Sequence, residues 1–388
     1  MDKEIYLVKL GEIALKGQNR NFFEKKLKDN IKFKLRGHKT YFTKQKGRFF
    51  IETEEDVDHK VIENAIATTF GVVGFAKTLK VDKKVPKLIE GALKLTSDNA
   101  FLDGCKTFKV ETVRSDKGFE LDSYGVSRLL GAEILKANPN LKVDVHNPDK
   151  VLYVEIRDKG YLYTTPIEGP KGLPVGSAGK AVVMLSGGID SPVASYLMAK
   201  RGLKQEAIYF HAYPYTSDKA KEKVIDLAKE LTKYHGPMIL HVVPFTDVQL
   251  HIKSHADERE GTLMMRACMV AISNIIATKR DALAIISGES LSQVASQTLE
   301  SLAFTNSIGK LPIFRPLIGF DKQEIISLAR KIGTYETSIL PYDDCCTIFS
   351  PKNPIVRPNL EKVSASYKQM NIEPLLEKAV EQTQSVAL

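Results

Sequence analysis

Cysteine is scarce in this chain of 388 residues: Cys105, Cys268, Cys345 and Cys346 are the four, with no Cys-x-x-Cys among them. That is too few for a disulfide scaffold and the wrong spacing for a zinc or iron–sulfur site built from this chain alone, so no metal is expected beyond one carried in with a nucleotide. No stretch approaches about 18 uninterrupted apolar residues, and Met1-Asp2-Lys3-Glu4 lacks a basic-then-apolar leader pattern, so a cytoplasmic protein with no membrane partner is expected. A Walker A loop is missing too. The glycine-rich junction Ser186-Gly187-Gly188-Ile189-Asp190-Ser191 has neither the lysine nor the spacing of that motif.

An acidic counterweight is absent from one end. Residues 1–50 hold 14 Lys+Arg against 5 Asp+Glu, a balance of +9 that equals the net charge of the whole chain, while residues 51–388 balance at 42 against 42. A basic excess confined to one end points to a polyanion-binding module joined to a neutral catalytic one. Aromatics and glycines interleaved with the charge, as in Gln45-Lys46-Gly47-Arg48-Phe49-Phe50, favour nucleic acid over a merely solvated face. Lys16, Arg20, Lys46, Arg48 and Arg114 are the candidate nucleic-acid contacts.

The chain is long enough for two or three domains. A strand over 5–10, a lysine-rich helix over 21–35 and paired strands over 40–43 and 48–53 make a small α+β unit, assigned to residues 1–59. Helices over 61–70, 85–100 and 123–137 alternate with strands over 72–79, 108–112, 142–145, 151–156 and 160–165, a second α/β unit assigned to 60–166. Residues 167–179, rich in Gly and Pro, read as a linker. From 180 to 388, strands and helices alternate (181–185, 191–201, 206–213, 219–234, 238–243, 262–280, 282–287), which implies a doubly wound parallel sheet with its ligand at the carboxyl ends of the strands.

The glycine loop lies at such an end. Gly187 and Gly188 let the backbone turn and aim N–H groups inward, and the new helix adds its positive end, with Ser191 expected as N-cap and Pro192 at N1. The result is a phosphate cradle. Tyr209 and Phe210 end the next strand, where an adenine could stack. In Gly288 to Thr298, Gln293 and Gln297 are expected one turn apart on a helix. Arg266 sits in an apolar helix and needs an anionic or carbonyl partner, for which a nucleotide phosphate is natural.

The Ser-Gly-Gly-Ile-Asp-Ser loop resembles that of the PP-loop ATP pyrophosphatases, which implies cleavage of ATP at the α-phosphate. Residues 60–166, through Phe108 to Arg114 and Leu141 to Asp149, resemble a THUMP RNA-binding domain. Together with Gly288 to Thr298 and Asp343-Asp344-Cys345-Cys346-Thr347-Ile348-Phe349, these segments resemble the tRNA 4-thiouridine synthetases over essentially the whole chain. The resemblance implies an N-terminal ferredoxin-like domain, then THUMP, then PP-loop. It also implies ATP contacts at Met184, Leu185, Ser186, Gly187, Gly188, Asp190, Ser191, Tyr209, Phe210, Arg266, Gly288 and Gln297, with Asp190 supporting Mg²⁺. Cys346 would carry the persulfide, in a polar loop that leaves its cysteines accessible.

The implied reaction is adenylylation of O4 of a tRNA uridine, position eight in the family, and its displacement by persulfide sulfur. AMP and pyrophosphate are released. Many bacterial relatives append a rhodanese domain, whereas 42 residues follow Cys346 here. Direct loading by a cysteine desulfurase is therefore expected, with Cys268, Cys105 or Cys345 as resolving thiol, Cys345 being geometrically weakest because neighbouring cysteines make a strained disulfide. The family link to thiamine implies a sulfur-carrier protein as a further partner, and a homodimer is expected. The rival readings are another PP-loop tRNA-modifying enzyme and a non-catalytic tRNA-binding protein with a residual nucleotide loop.

Overall fold

The computed structural model describes residues 4–45, 47–53, 57–342, 345 and 351–388. The chain divides into two compact units, the first ending at Gly172 and the second beginning at Leu173.

The first unit holds two five-stranded sheets. One is built from β1 (Glu4–Leu10), β2 (Thr40–Gln45), β3 (Arg48–Thr53) and β4 (Val72–Lys77), all antiparallel neighbours. Helices α1 (Arg20–Lys34) and α2 (His59–Ala67) cover one face, burying Leu27, Ile31, Ile62 and Ile66 against Val8, Phe49 and Phe75. The other face carries Leu7, Phe50 and Ala76, which pack on Tyr161 and Tyr163. Burial on both sides explains why β1 reads as a continuous apolar run rather than an alternating one.

The second sheet contains β5 (Leu79–Val81), β6 (Thr107–Arg114), β7 (Lys142–Val143), β8 (Lys150–Ile156) and β9 (Gly160–Tyr163), in the order β5-β9-β8-β6-β7. It packs beneath α3 (Val85–Thr96), α4 (Asn99–Leu102) and α5 (Ser123–Ala137), with Leu88, Phe101, Leu130 and Ile134 meeting Phe108, Leu152 and Val154. The two sheets overturn a boundary at residue 59. β4 hydrogen-bonds to β1, so residues up to Lys77 complete the first sheet. The expected linker is also partly structured: β10 (Ile167–Glu168) pairs with β4, and Lys171 exchanges backbone hydrogen bonds with Gly71 and Val72.

In the second unit the strands are β11 (Lys180–Met184), β12 (Lys204–His211), β13 (Ile239–Pro244), β14 (Ile285–Ile286), β15 (Ile313–Phe314) and β16 (Gln384–Ala387). Their order is β15-β14-β11-β12-β13-β16, parallel throughout except for the antiparallel edge strand β16. The chain winds outward from β11 to β13 and then returns to the other side of β11 at β14. That reversal makes the crevice between β11 and β14 the place where such sheets bind ligands.

Helix α6 (Asp190–Lys200) packs on α7 (Asp218–His235), and α8 (Thr246–His255) on α9 (Gly261–Lys279). The segment Glu258–Lys279 is long and apolar enough to cross a membrane, but it is the central core helix, with Met264, Cys268 and Ile272 fully buried. Helices α10 (Leu299–Ile308), α11 (Lys322–Ile332) and α12 (Tyr335–Ser338) follow, and Leu360–Gln369 and Glu373–Glu381 precede β16.

Candidate nucleotide site

A cavity of about 250 Å³ opens at the reversal point. Its wall includes Met184, Leu185, Ser186, Asp190 and Ser191 from the end of β11 and the start of α6, Tyr209 and Phe210 from β12, and Arg266, Gly288 and Gln297. Ten of the twelve positions expected to touch nucleotide therefore face one space. Gly187 and Gly188 lie in the same loop without lining it, and Ser338 Oγ donates to the Gly188 carbonyl at 3.4 Å.

The loop is held differently from expectation. Helix α6 begins at Asp190, so Ser191 lies inside the first turn and is not its cap. Its hydroxyl instead accepts from the Ser186 N–H at 2.9 Å and meets Ser186 Oγ at 3.1 Å, closing the loop from within. At the cavity Gly288 has no room for a side chain: a Cβ there would come within 2.7 Å of the Ser191 nitrogen. The end of β14 thus rests against the backbone of the helix start, where no side chain fits.

Asp190 receives Gln293 Nε2 at 2.8 Å on one oxygen and Lys322 Nζ at 2.5 Å on the other. Lys322 escaped the sequence reading. Its signal was electrostatic: a lysine in the first turn of a helix opposes the helix dipole, and the box formed by Asp321 and Glu324 marks that first turn. Gln293 and Gln297 do not share a helix. Residues 291–294 are turn, Ser292 adopts φ +61°, and α10 starts only after the Thr298 cap. The serine and glutamine side chains satisfy local backbone groups instead, as where Gln297 Oε1 accepts from the Ser290 N–H at 3.3 Å.

Arg266 lines the cavity, and the structure gives it a protein partner, Glu289, at 2.5 Å. Glu289 is 2% exposed and also receives Arg315 Nε at 2.7 Å. Burial works to raise its carboxyl, but the two guanidiniums outweigh that and hold it below the ordinary carboxylate range. The cluster keeps one net positive charge beside the cavity. The sequence reading did not name Glu289 as the anchor, because Glu289 and Arg315 meet only through adjacent strands.

Cys346 lies outside the described residues, as does Lys46. Cys345 lines the cavity and is only 4% exposed, not the accessible loop residue expected. Gln249 Nε2 donates to its carbonyl at 2.9 Å, while Lys223 Nζ holds the Leu340 carbonyl at 2.8 Å. Cys268 is fully buried in α9, where burial pushes its thiol up to about 12. Cys105 belongs to the first unit, donates to the Thr107 carbonyl at 3.5 Å and is likewise raised by burial.

Among the described residues, the basic candidates of the first unit have protein partners. Lys16 pairs with Glu12 at 3.2 Å, Arg20 with Glu24 at 2.7 Å and Arg48 with buried Glu155 at 3.0 Å. Arg114 donates to the carbonyls of Phe119 and Leu121, both at 3.0 Å, and so shapes the turn before α5. Lys25 and Lys32, on the exposed face of α1, are open to solvent.

Comparison with known proteins matches three consecutive models to this architecture. They are the ThiI ferredoxin-like domain over residues 5–76, the THUMP domain over 82–165 and the thiamine biosynthesis protein ThiI over 176–372. Relatives named "Probable tRNA sulfurtransferase" from Acetivibrio thermocellus and Caldanaerobacter subterraneus are 48% and 51% identical, covering 100% and 97% of this chain and 99% and 97% of their own lengths. A solved structure described as a 4-thiouridine synthetase–RNA complex with bound ATP is 38% identical over 100% of both chains, with a TM-score of 0.91. A protein from Pyrococcus horikoshii is 26% identical over 85% of this chain and 99% of its own, with a TM-score of 0.67. Agreement of three domain models, full-length relatives and one fold over the whole length identifies this chain as an enzyme belonging to the ThiI family of tRNA sulfurtransferases, the 4-thiouridine synthetases.

Proposed function

We propose that this enzyme converts a tRNA uridine to 4-thiouridine in two displacements, with ATP and a persulfide as co-substrates. The observation that carries the reading is the convergence on one cavity of Ser186 and Ser191 from the glycine loop, Asp190, itself paired with Lys322, and Cys345. In the first displacement uridine O4 attacks the α-phosphorus and pyrophosphate leaves. The amides of the Ser186–Ser191 loop and the N-terminus of α6 would hold the departing phosphates, and Lys322 would offset the charge that gathers on them.

Asp190 is the single carboxylate on the cavity wall among the described residues, and one carboxylate plus phosphate oxygens suits the way Mg²⁺ is usually held. When bound, Mg²⁺ would neutralise the leaving pyrophosphate. The second displacement brings persulfide sulfur to C4 and releases AMP. Cys346 is assigned as the carrier by resemblance, supported by the cavity position of its chain neighbour Cys345. A second thiol must then cleave the S–S bond, forming a disulfide that an external thiol reduces. Full burial and a raised thiol make Cys268 the poorest choice for that step.

A cysteine desulfurase would load the carrier. The ThiI model's description as a thiamine biosynthesis protein supports a second acceptor, a thiamine sulfur-carrier protein. The test is nucleoside mass spectrometry of unmodified tRNA incubated with the enzyme, Mg-ATP, a cysteine desulfurase, cysteine and pyridoxal phosphate. An ATP-dependent 4-thiouridine peak is expected. Its absence, with tRNA binding and persulfide loading both verified, would redirect the assignment to the thiamine acceptor.

A further inference from the structure

A second and larger cavity, about 590 Å³, lies at the carboxyl ends of β12 and β13, where β16 begins. It adjoins the nucleotide cavity across a single strand. Tyr209 lines one and His211 the other, two residues apart on the same face of β12, with ring centroids 5.8 Å apart.

Its chemistry is that of a planar, hydrogen-bonding ligand. The side-chain amides of Gln382 and Gln384 face it, and neither has a partner among the described residues. Tyr213, 64% exposed, lines the mouth with its ring 6.4 Å from that of His211. Behind His211, Thr216 Oγ1 accepts from the Ala212 N–H at 3.0 Å and lies 3.1 Å from His211 Nδ1. Thr216 thus engages Nδ1, while Nε2 has no partner among the described residues and is left to a ligand. Burial, aided by Lys221, keeps the imidazole neutral. The charges on the wall cancel: Asp218 and Asp247 stand against Lys221 and Lys378. A cavity with rings, amides and a neutral imidazole but no net charge suits a base, not a phosphate.

We infer that this second cavity receives an unstacked nucleobase of the RNA substrate, next in the strand to the uridine being modified. β12 borders both cavities, so the base held in the second is a flanking one, gripped while its neighbour reacts. Holding flanking nucleotides is how base-modifying enzymes select sequence context. The inference rests on the RNA reading above.

The test is ultraviolet crosslinking of a 5-iodouridine-substituted tRNA transcript to the full-length enzyme with ATP present, with peptide mapping, alongside steady-state kinetics of Tyr213→Ala, Tyr213→Phe and Gln382→Ala/Gln384→Ala. A crosslink to Tyr213 or His211 is expected. The KM for tRNA should rise about 5- to 30-fold in Tyr213→Ala and the double variant, with Tyr213→Phe near the parent and the KM for ATP unmoved in all three. Crosslinks confined to residues before 173, with the KM for tRNA within twofold of the parent, would overturn the second-cavity assignment and leave the RNA reading intact. No tRNA retention by the parent enzyme at all would remove the RNA reading itself, and this inference with it.

Discussion

Replacing Lys322 by Gln isolates one charge at the candidate site. The ammonium lies 2.5 Å from Oδ1 of Asp190, a residue on the wall of the nucleotide cavity. Lys322→Gln leaves Asp190 with only the neutral Gln293 among the described residues, so a bare carboxylate faces incoming polyphosphate. With an effective dielectric constant of about 20 and a separation of about 5 Å, each unit-charge interaction is worth roughly 3 kcal/mol. The lost term falls mainly on the transition state, where charge moves onto pyrophosphate. A loss of about 2–4 kcal/mol, or roughly 30- to 1000-fold in kcat/KM for ATP, follows. Lys322→Arg keeps the charge and should stay within about tenfold of the parent. The assay is pyrophosphate release with saturating tRNA, with thermal melting as the control for folding. A Lys322→Gln enzyme that melts normally and retains kcat/KM within threefold would refute the role given to this charge.

Glu289→Gln should loosen Arg266 and leave two guanidiniums facing each other in the interior. The expected result is a 10-fold or greater rise in the KM for ATP, on the order of 1.4 kcal/mol or more, with Glu289→Asp between parent and Gln. At the other end of the same sheet, burial works to raise the carboxyl of Glu206, yet hydrogen bonds from Arg280, Lys180 and His241 bring it down to about 2. Since the folded value is below the unfolded one, this stabilisation is whole above about pH 4.5 and fades as pH falls toward 2. Glu206→Gln should therefore lose roughly 3 kcal/mol at neutral pH and flatten the acid limb of a urea-denaturation profile, and an unchanged limb would count against the cluster. Deleting residues 1–50 is a poor probe of RNA binding, because β1 to β3 go with them; Lys25→Gln and Lys32→Gln instead should each lower the salt dependence of tRNA affinity by about one unit of log–log slope. Cys346→Ser should abolish thiolation while leaving ATP binding intact, checked by nucleoside mass spectrometry and calorimetry.

What was legible in the chain is what local physics writes in consecutive residues. Strand, glycine turn and helix at 181–200 are a single local event, so the loop, its place at a strand end and its cavity-facing neighbours could all be read. Strand β3 and helix α5 match their expected spans for the same reason, since each has its own periodicity and end signals. The failures share a different cause. Ser191 looks like a cap, but its hydroxyl is drawn to the Ser186 N–H five residues back, which satisfies more of the loop than capping would. Gln293 and Gln297 have helical spacing, yet local backbone groups and Asp190 claim their amides. Arg48 and Arg114 look like phosphate contacts, but Glu155 and the carbonyls of Phe119 and Leu121 hold them.

Strand β16 could not be placed beside β13 from its four residues, because pairing over 144 positions leaves no local mark. Lys322 and Glu289 nonetheless left traces as violations of local rules: a cation at the positive end of a helix, and an acid next to a strand that is otherwise apolar. Each is locally unfavourable and becomes favourable only when a distant residue arrives, Asp190 in one case and Arg266 with Arg315 in the other. A residue that its own segment cannot justify is thus a pointer to a tertiary partner, and here both pointers lead to the same crevice between β11 and β14.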